Sequence, residues 1–301
     1  MLKVSVILTT YNSGENLQKT MISILNQEGN KDLFEIELLV IDDCSTDNTL
    51  EIVERFNIRT FSTNLNSGGP NKGRNIGLKE ATGDYICIAD HDDIWHENKI
   101  ISLLPYLRKV PIVSSGFTII NSKNKEEISR IAKVERDFLF FKKNETFLNL
   151  LVKNSGQNTY LGSLIFDSKL KYILFEENFG MIDYDWGLRL FHENESIEVC
   201  QSLYDRIVEG GNLSLNENYR KIDYYYSLLT IENYGEYYPK QVRKSRKKIN
   251  AIRAKYYYVT NNMRKARYYF LRSEFNVKNI AYYFTTFVGA KFITKKFKVF
   301  G

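Results

Sequence analysis

Asp90, Asp92 and Asp93 fall within four residues, directly after the apolar run Tyr85-Ile86-Cys87-Ile88-Ala89. Carboxylates crowded in this way raise one another's pKa unless a cation lies between them. Hard oxygen donors suit magnesium or manganese, ions that keep some waters and share a site with phosphate oxygens. Taken alone, Asp-x-Asp-Asp also fits a solvated loop whose aspartates cap the next helix. A second acidic pair, Asp42-Asp43, ends another apolar run, residues 36–41. Acids at a helix N-terminus are favoured by about 0.3–1 kcal/mol, which accounts for Asp47 better than for Asp42. A carboxylate at a strand's end can instead accept hydrogen bonds from a base N–H or a ribose hydroxyl.

Such clusters do chemistry only if the chain gathers them. Residues 4–8, 36–41 and 85–89 are short, apolar and rich in β-branched side chains, and each reads as a buried strand. Leu17, Met21, Ile24 and Leu25 recur at helical spacing between the first two. Ser45 or Thr46 is placed to cap a helix carrying Leu50, Ile52, Val53 and Phe56, and residues 58–61 suggest a further strand. A helix over about residues 71–81 follows the turn Asn66-Ser67-Gly68-Gly69-Pro70. The alternation predicts an α/β fold with a mixed, mainly parallel sheet covered by helices on both faces. Ligands then bind beyond the carboxyl ends of the strands. Thr9-Thr10-Tyr11-Asn12, Asp42-Asp43-Cys44-Ser45 and Asp90-His91-Asp92-Asp93 are expected on that one rim. Past residue 110 the pattern loosens, with strands expected at 112–120 and 163–166 and helices at 145–152 and 184–191.

The 301 residues suffice for one large domain with an appendage. Three scattered cysteines, Cys44, Cys87 and Cys200, suggest neither a disulfide framework nor a thiolate zinc site. The opening run lacks a charged leader and a cleavage site, so the expected compartment is the cytoplasm. The net charge of +6 divides unevenly: residues 240–301 hold 17 Lys and Arg against Glu274 alone, a net of +16, and the rest carries −10. A boundary near 215 separates an acidic domain, 1–215, from a basic, tyrosine-rich helical region, 216–301. Gly-x-Gly-x-x-Gly, Walker and Ser/His/Asp patterns are absent, which leaves dehydrogenase, P-loop and hydrolase readings without support.

Four ordered motifs carry a resemblance. Val4-Ser5-Val6-Ile7-Leu8-Thr9-Thr10-Tyr11-Asn12, Val40-Ile41-Asp42-Asp43-Cys44-Ser45-Thr46-Asp47, Asn66-Ser67-Gly68 with Gly73-Arg74-Asn75-Ile76-Gly77, and Gly83-Asp84-Tyr85-Ile86 leading into Asp90-His91-Asp92-Asp93 resemble the family-two inverting glycosyltransferases of the GT-A fold. The resemblance covers about the first 210 residues. It implies that Thr9, Tyr11 and Asp42 hold the nucleoside of a nucleotide-diphosphate sugar and that Arg74 lies near the nucleotide. Asp90 and Asp92 are then the DxD pair that bridges ribose and a Mn2+- or Mg2+-bound diphosphate, with His91 between them facing the donor sugar. Thr9 stands where a proline is usual and Cys44 where a glycine is usual.

Inversion also requires a base on the acceptor side. Met181-Ile182-Asp183-Tyr184-Asp185-Trp186 resembles the family's base segment, with Ile182 where a Glu is common. Asp183 is the expected base. Asp185 is the reserve, with a helix cap or an i, i+4 pair with Arg189 as its structural alternative. Arg206 to Ser214 resembles the closing loop, where Glu209 occupies the place of a frequent His and is either a further metal ligand or a solvated charge.

The implied activity is non-processive transfer of one sugar to a glycan or lipid-linked acceptor in bacterial surface polysaccharide or glycoconjugate synthesis. A non-catalytic nucleotide-sugar-binding or assembly protein that keeps the pocket is the alternative. Trp95 with Asn98-Lys99-Ile100 resembles a rhamnosyltransferase subgroup that uses deoxythymidine diphosphate, and uridine diphosphate donors stay equally open. In the tail, Ile280, Phe284, Phe287, Val288 and Phe292 can share one helical face while Lys291, Lys295, Lys296 and Lys298 reach lipid headgroups. The tail then docks on an anionic inner membrane face, or it packs its tyrosines on the catalytic domain or a second subunit in a homo-oligomer. The acidic body argues against nucleic acid.

Overall fold

The computed structural model describes residues 1–178, 183–208 and 217–289. Two compact units are present, Met1–Phe147 with Gly156–Asn212, and Leu148–Ser155 with Leu213–Gly301. The junction expected near 215 lies outside the described residues. In chain order the elements are β1 (Leu2–Thr10), α1 (Gly14–Leu25), β2 (Phe34–Asp42), α2 (Thr49–Glu54), β3 (Arg59–Ser62), α3 (Asn71–Glu80), β4 (Tyr85–Asp90), β5 (Asp93–Trp95), α4 (Lys99–Leu107), β6 (Ile112–Asn121), β7 (Glu127–Arg130), β8 (Phe138–Phe141), α5 (Glu145–Leu151), β9 (Ile165–Asp167), α6 (Tyr184–Phe191) and β10 (Ser196–Val208). Four helices follow: α7 (Glu217–Glu232), α8 (Pro239–Val259), α9 (Met263–Phe270) and α10 (Val277–Thr285).

The strands form one sheet in the order β3-β2-β1-β4-β9-β6-β10-β5, with β7 on β6 and β8 on β10. The four strands β3, β2, β1 and β4 are mutually parallel, and β9 joins both β4 and β6 antiparallel. Period-two alternation assigns the faces of β1. Val4, Val6 and Leu8 pack with Leu17, Met21 and Ile24 of α1, Val53 of α2, and Ile100 and Leu103 of α4. The opposite face, with Ile7 and Thr9, is covered by α3, and a Cβ on Gly77 would lie 2.3 Å from Ile7 Cγ2. Only glycine lets α3 approach the sheet that closely. Glu37 of β2 pins this region: Ser5 Oγ donates to it at 2.5 Å, Thr82 N at 2.9 Å and Arg59 Nη1 at 2.8 Å. Burial opposes its charge, but the hydrogen bonds from Ser5, Thr82 and Lys3 prevail and hold its pKa at about 2.

The expected strands and helices of the first hundred residues are present. The cap of α2 is not where the sequence suggested. Ser45 is engaged by Asp42, and Asp47 Oδ1 instead accepts from Thr49 N at 3.0 Å. The long strand β10 went unforeseen because register shifts between Val199 and Ser202 and again between Ser202 and Asp205 break its alternation. Pro105 inside α4 hides that helix in the same way.

In the second unit the tyrosines form a core of their own. Tyr257, Tyr258, Phe270 and Tyr282 are buried together with Ala254 and Ala266, and Tyr257 stacks on Tyr269 with ring centroids 5.6 Å apart. No helix among the described residues is long and apolar enough to cross a membrane.

Candidate active site at the carboxyl rim of the sheet

Register decides which side chains meet. Thr10 pairs with Asp42 across β1 and β2, and Thr9 pairs with Asp90 across β1 and β4. The three polar clusters therefore end on one rim, as the alternation predicted. Tyr11 follows β1 directly and is 46% exposed there. Asp42 is buried and held by the turn after β2: Ser45 Oγ donates to Oδ1 at 2.5 Å and Ser45 N to Oδ2 at 2.9 Å. Each carboxylate oxygen keeps a lone pair for one further donor. Asp43 does structural work instead, accepting from Thr63 Oγ1 at 2.6 Å and Ser67 N at 3.0 Å, which fastens the loop before α3. The loops after β1 and β2 are joined by Asn12 N donating to Ser45 Oγ and Thr46 N donating to Asn12 Oδ1.

Asp90 closes β4 with its side chain 40% exposed, and Arg74 Nη2 of α3 donates to its Oδ1 at 3.0 Å. Arg74 itself is buried, and its Nε has no hydrogen-bond partner. The main chain of His91 is anchored by Thr20 Oγ1 at 2.9 Å. Burial and then the neighbouring Asp90 charge raise the pKa of Asp92, against the pull of His91 and Arg206. Asp93 is raised well above the usual range by burial, then by Asp90 and Asp92. These carboxylates thus lie near enough to repel one another, and the hard oxygen donors of Asp90 and Asp92 are of the kind that would suit a magnesium or manganese ion. Among the described residues no group of three or more His, Cys, Asp or Glu forms a closed metal cage. Glu209 lies outside the described residues, as does Ile182.

Behind the acidic loop lies a basic group that the sequence marked only within the run Asn98-Lys99-Ile100, with no role of its own. Lys99 of α4 is fully buried, its ammonium 4.0 Å from the Trp95 ring centroid and 4.6 Å from that of Tyr204, and it donates to Gly162 O. Burial lowers its pKa to about 8, against the charges of Cys87 and Asp93. Arg206 of β10 pairs in register with Asp93 of β5 and lies over the Tyr160 ring at 5.0 Å.

Asp183 is the N-cap residue of α6, exposed, and its carbonyl accepts from Gly187 N. Asp185, in the first turn of α6, is bound by Arg189 Nε at 2.8 Å in the i, i+4 pair that was its structural alternative. What mounts α6 is visible only in three dimensions. Trp186 donates Nε1–H to Ile173 O at 2.7 Å and stacks on Phe175 with centroids 4.5 Å apart. The Arg74 guanidinium lies over the other partner of that stack, 5.3 Å from the Phe175 centroid. Asn75 accepts from Phe175 N at 2.7 Å and donates to Phe175 O at 2.9 Å, and Asn71 donates to Glu176 O at 2.9 Å. The helix that carries Arg74 against Asp90 also holds the strap that leads to Asp183.

Known proteins bear on this geometry. Residues 5–166, more than half of the chain, match the family described as Glycosyl transferase family 2. The chain is 43% identical over 97 residues to the poly(ribitol-phosphate) beta-N-acetylglucosaminyltransferase TarS of Staphylococcus aureus, covering 31% of this chain and 17% of TarS. It is 33% identical over 130 residues to the UDP-Glc:alpha-D-GlcNAc-diphosphoundecaprenol beta-1,3-glucosyltransferase WfgD of Escherichia coli, covering 40% of this chain and 48% of WfgD. These alignments span less than half the length of either relative. The crystal structure of S. aureus TarS 1-349 in complex with UDP aligns over 98% of this chain and 92% of that chain, with a TM-score of 0.60 at 18% identity, a likeness of fold. The chain belongs to glycosyl transferase family 2 and has its GT-A fold.

Proposed function

We propose that this protein transfers one sugar from a nucleotide-diphosphate donor to an acceptor hydroxyl, with inversion at the anomeric carbon. The observation that carries the reading is the register that sets Thr9 beside Asp90 and Thr10 beside Asp42, so that a nucleoside pocket and an acidic pair share one rim. Tyr11 offers a ring to the base, and Asp42 accepts from the nucleoside. Asp90, fixed by Arg74, and Asp92 would hold the ribose and, with a divalent cation, the diphosphate. A bound divalent cation supplies charge neutralisation for the departing diphosphate. On the acceptor side Asp183 takes the hydroxyl proton as the acceptor oxygen forms its bond to the anomeric carbon. The bond from that carbon to the diphosphate breaks, and its electron pair leaves on the phosphate oxygen. Arg74 and Arg206 add positive charge near that developing anion.

Uridine is the favoured base, because TarS structures of this fold are complexes with UDP and UDP-GlcNAc and WfgD is named for UDP-Glc. The acceptor class follows the same relatives, whose names specify a polyol-phosphate polymer and a lipid-diphosphate-linked sugar. Both belong to bacterial surface glycans. The test is donor binding and turnover with UDP-sugars and manganese. Asp183→Asn is expected to keep donor affinity and to lose turnover by on the order of 10³-fold, whereas Asp92→Asn is expected to weaken manganese-dependent donor binding. Full turnover by Asp183→Asn would move the base to another residue, and manganese-independent affinity would remove the metal bridge.

A further inference from the structure

Helix α10 packs Tyr282 inward on Tyr258 and Phe270 and turns a stripe of apolar side chains outward. Its buried residues are Asn279 and Tyr282, followed by the buried Thr286, whereas Val277, Ile280 and Phe284 are exposed, as are Phe287 and Val288 just beyond its end. The exposed apolar positions follow i, i+3, i+7, i+10 and i+11, one continuous stripe along the helix. Val277 is 85% exposed, and Phe284 and Phe287 are each 65% exposed. Burial of apolar area drives folding, so a helix that leaves Val277, Ile280 and Phe284 in water, with Phe287 and Val288 just past its end, presents a face suited to a partner that removes it from water.

The surroundings of the stripe name the partner by charge. Phe275, also 75% exposed, precedes α10 and lines an open groove with Lys240, Arg243, Lys244 and Lys247 of α8. These four positions follow i, i+3, i+4 and i+7, so they form one row, and all four are exposed. No carboxylate lies within ion-pair distance of any of them among the described residues, although Glu274 lines the same groove. The neighbouring Arg246, by contrast, is paired with Glu232. A base-free phosphodiester polymer would engage the basic row and leave the phenylalanines in water, and a single-stranded nucleic acid would stack on the phenylalanines but leave Val277, Ile280 and Val288 uncovered. A protein helix would cover the phenylalanines and leave the row uncompensated. An anionic bilayer satisfies both, with acyl chains around the stripe and phosphate headgroups on the row.

We infer that α10 and the basic row of α8 together form a docking surface for an anionic lipid membrane. Val277, Ile280, Phe284 and Phe287 enter the headgroup boundary, Phe275 marks its edge, and Lys240, Arg243, Lys244 and Lys247 meet lipid phosphates. The helix lies in the interface plane and does not span it.

The experiment is co-sedimentation of the full chain with vesicles of phosphatidylglycerol and phosphatidylcholine, compared with phosphatidylcholine alone. Binding to the anionic vesicles, weakened by salt, is expected. Replacing the four basic residues by Gln lowers partitioning by on the order of 100-fold or more, and Phe284→Ser with Phe287→Ser lowers it by about 10-fold or more. All six positions are on the surface, so circular dichroism should be unchanged. Lack of vesicle binding by the wild type overturns the inference. So does loss of binding in the Gln variant with wild-type binding by the Ser variant, which would make the row a polyanion site. Concentration-dependent self-association that the Ser variant abolishes, without vesicle binding, would assign the stripe to a second copy of the chain. A Ser variant that melts well below the wild type and still binds vesicles would overturn the inference by showing that the stripe is buried within the folded chain. Docking is read without turnover, so its failure leaves the sugar-transfer reading standing, and a chain that docks without transferring sugar refutes only the latter.

Discussion

Cys44 holds a backbone φ of +63°, the left-handed region in which a Cβ costs about 1–2 kcal/mol. The sequence marked this position as a departure from the family's usual glycine. The structure supplies the reason that glycine suits it: the chain must reverse between Asp43, fixed by Thr63 and Ser67, and Ser45, which turns back to bind Asp42. The Cys44 thiol makes only long contacts, 3.9 Å to Ser62 Oγ and Thr63 Oγ1. Relief of the strain outweighs the added unfolded-state entropy of glycine, about 0.5–1 kcal/mol. Cys44→Gly is therefore expected to stabilise the protein by up to about 1 kcal/mol, seen as a small rise in Tm, with donor affinity unchanged. A lower Tm would mean that the sulfur contacts matter more than the φ. The same turn shows the limit of sequence reading at this scale. That Asp42 and Asp43 end a strand was legible, but which of them is consumed by the fold depends on the Thr63 hydroxyl 20 residues away and the Ser67 N–H 24 residues away.

At the scale of elements, the parallel strands and their helices were legible because each is a short uninterrupted apolar run with a clear period. β10 was not, since two irregularities shift its faces within 13 residues. Less visible still was the strap over residues 173–177, which has no period at all and owes its position to side chains of α3. Asn75 imitates a strand partner there, accepting from Phe175 N and donating to Phe175 O, and it also reaches Glu177 Oε1 at 2.7 Å. Through Phe175 and Trp186 this strap sets the start of α6 and hence Asp183. Misplacing a reacting group by about 1 Å can cost on the order of 100-fold in rate. Asn75→Ala is expected to lower kcat by about 10- to 100-fold while the donor Kd stays near wild type. Asn75→Asp, which keeps the acceptor for Phe175 N but sets a carboxylate oxygen against Phe175 O and Glu177 Oε1, should not recover the loss. Equal loss of donor affinity and kcat would show that Asn75 serves the nucleotide and not the acceptor side.

At the scale of the whole molecule, the uneven charge was plain from the sequence, but what the fold does with individual charges was not. Among the described residues past 240 most Lys and Arg are exposed, with Arg253 buried, whereas the acidic first unit hides one ammonium completely. Lys99 has no exposure, and its charge is met by the Trp95 and Tyr204 rings and the Gly162 carbonyl. Its pKa falls from 10.5 to about 8 on folding, so below pH 8 the folded state bears a charged group that burial disfavours. Between about 8 and 10.5 the unfolded chain binds a proton that the folded chain does not, and stability rises with pH through that window. The gap corresponds to about 3 kcal/mol. Lys99→Met keeps the length of the side chain and removes the proton, so its melting temperature, followed from pH 7 to 10.5 (roughly the span of the two pKa values), should lack the relative gain that the wild type shows. Parallel curves for the two proteins would mean that the cation–π contacts and the carbonyl already compensate the buried charge in full. A wild type that gains stability against the variant would locate, beneath the acidic loop, a charge that the fold retains at a measurable cost.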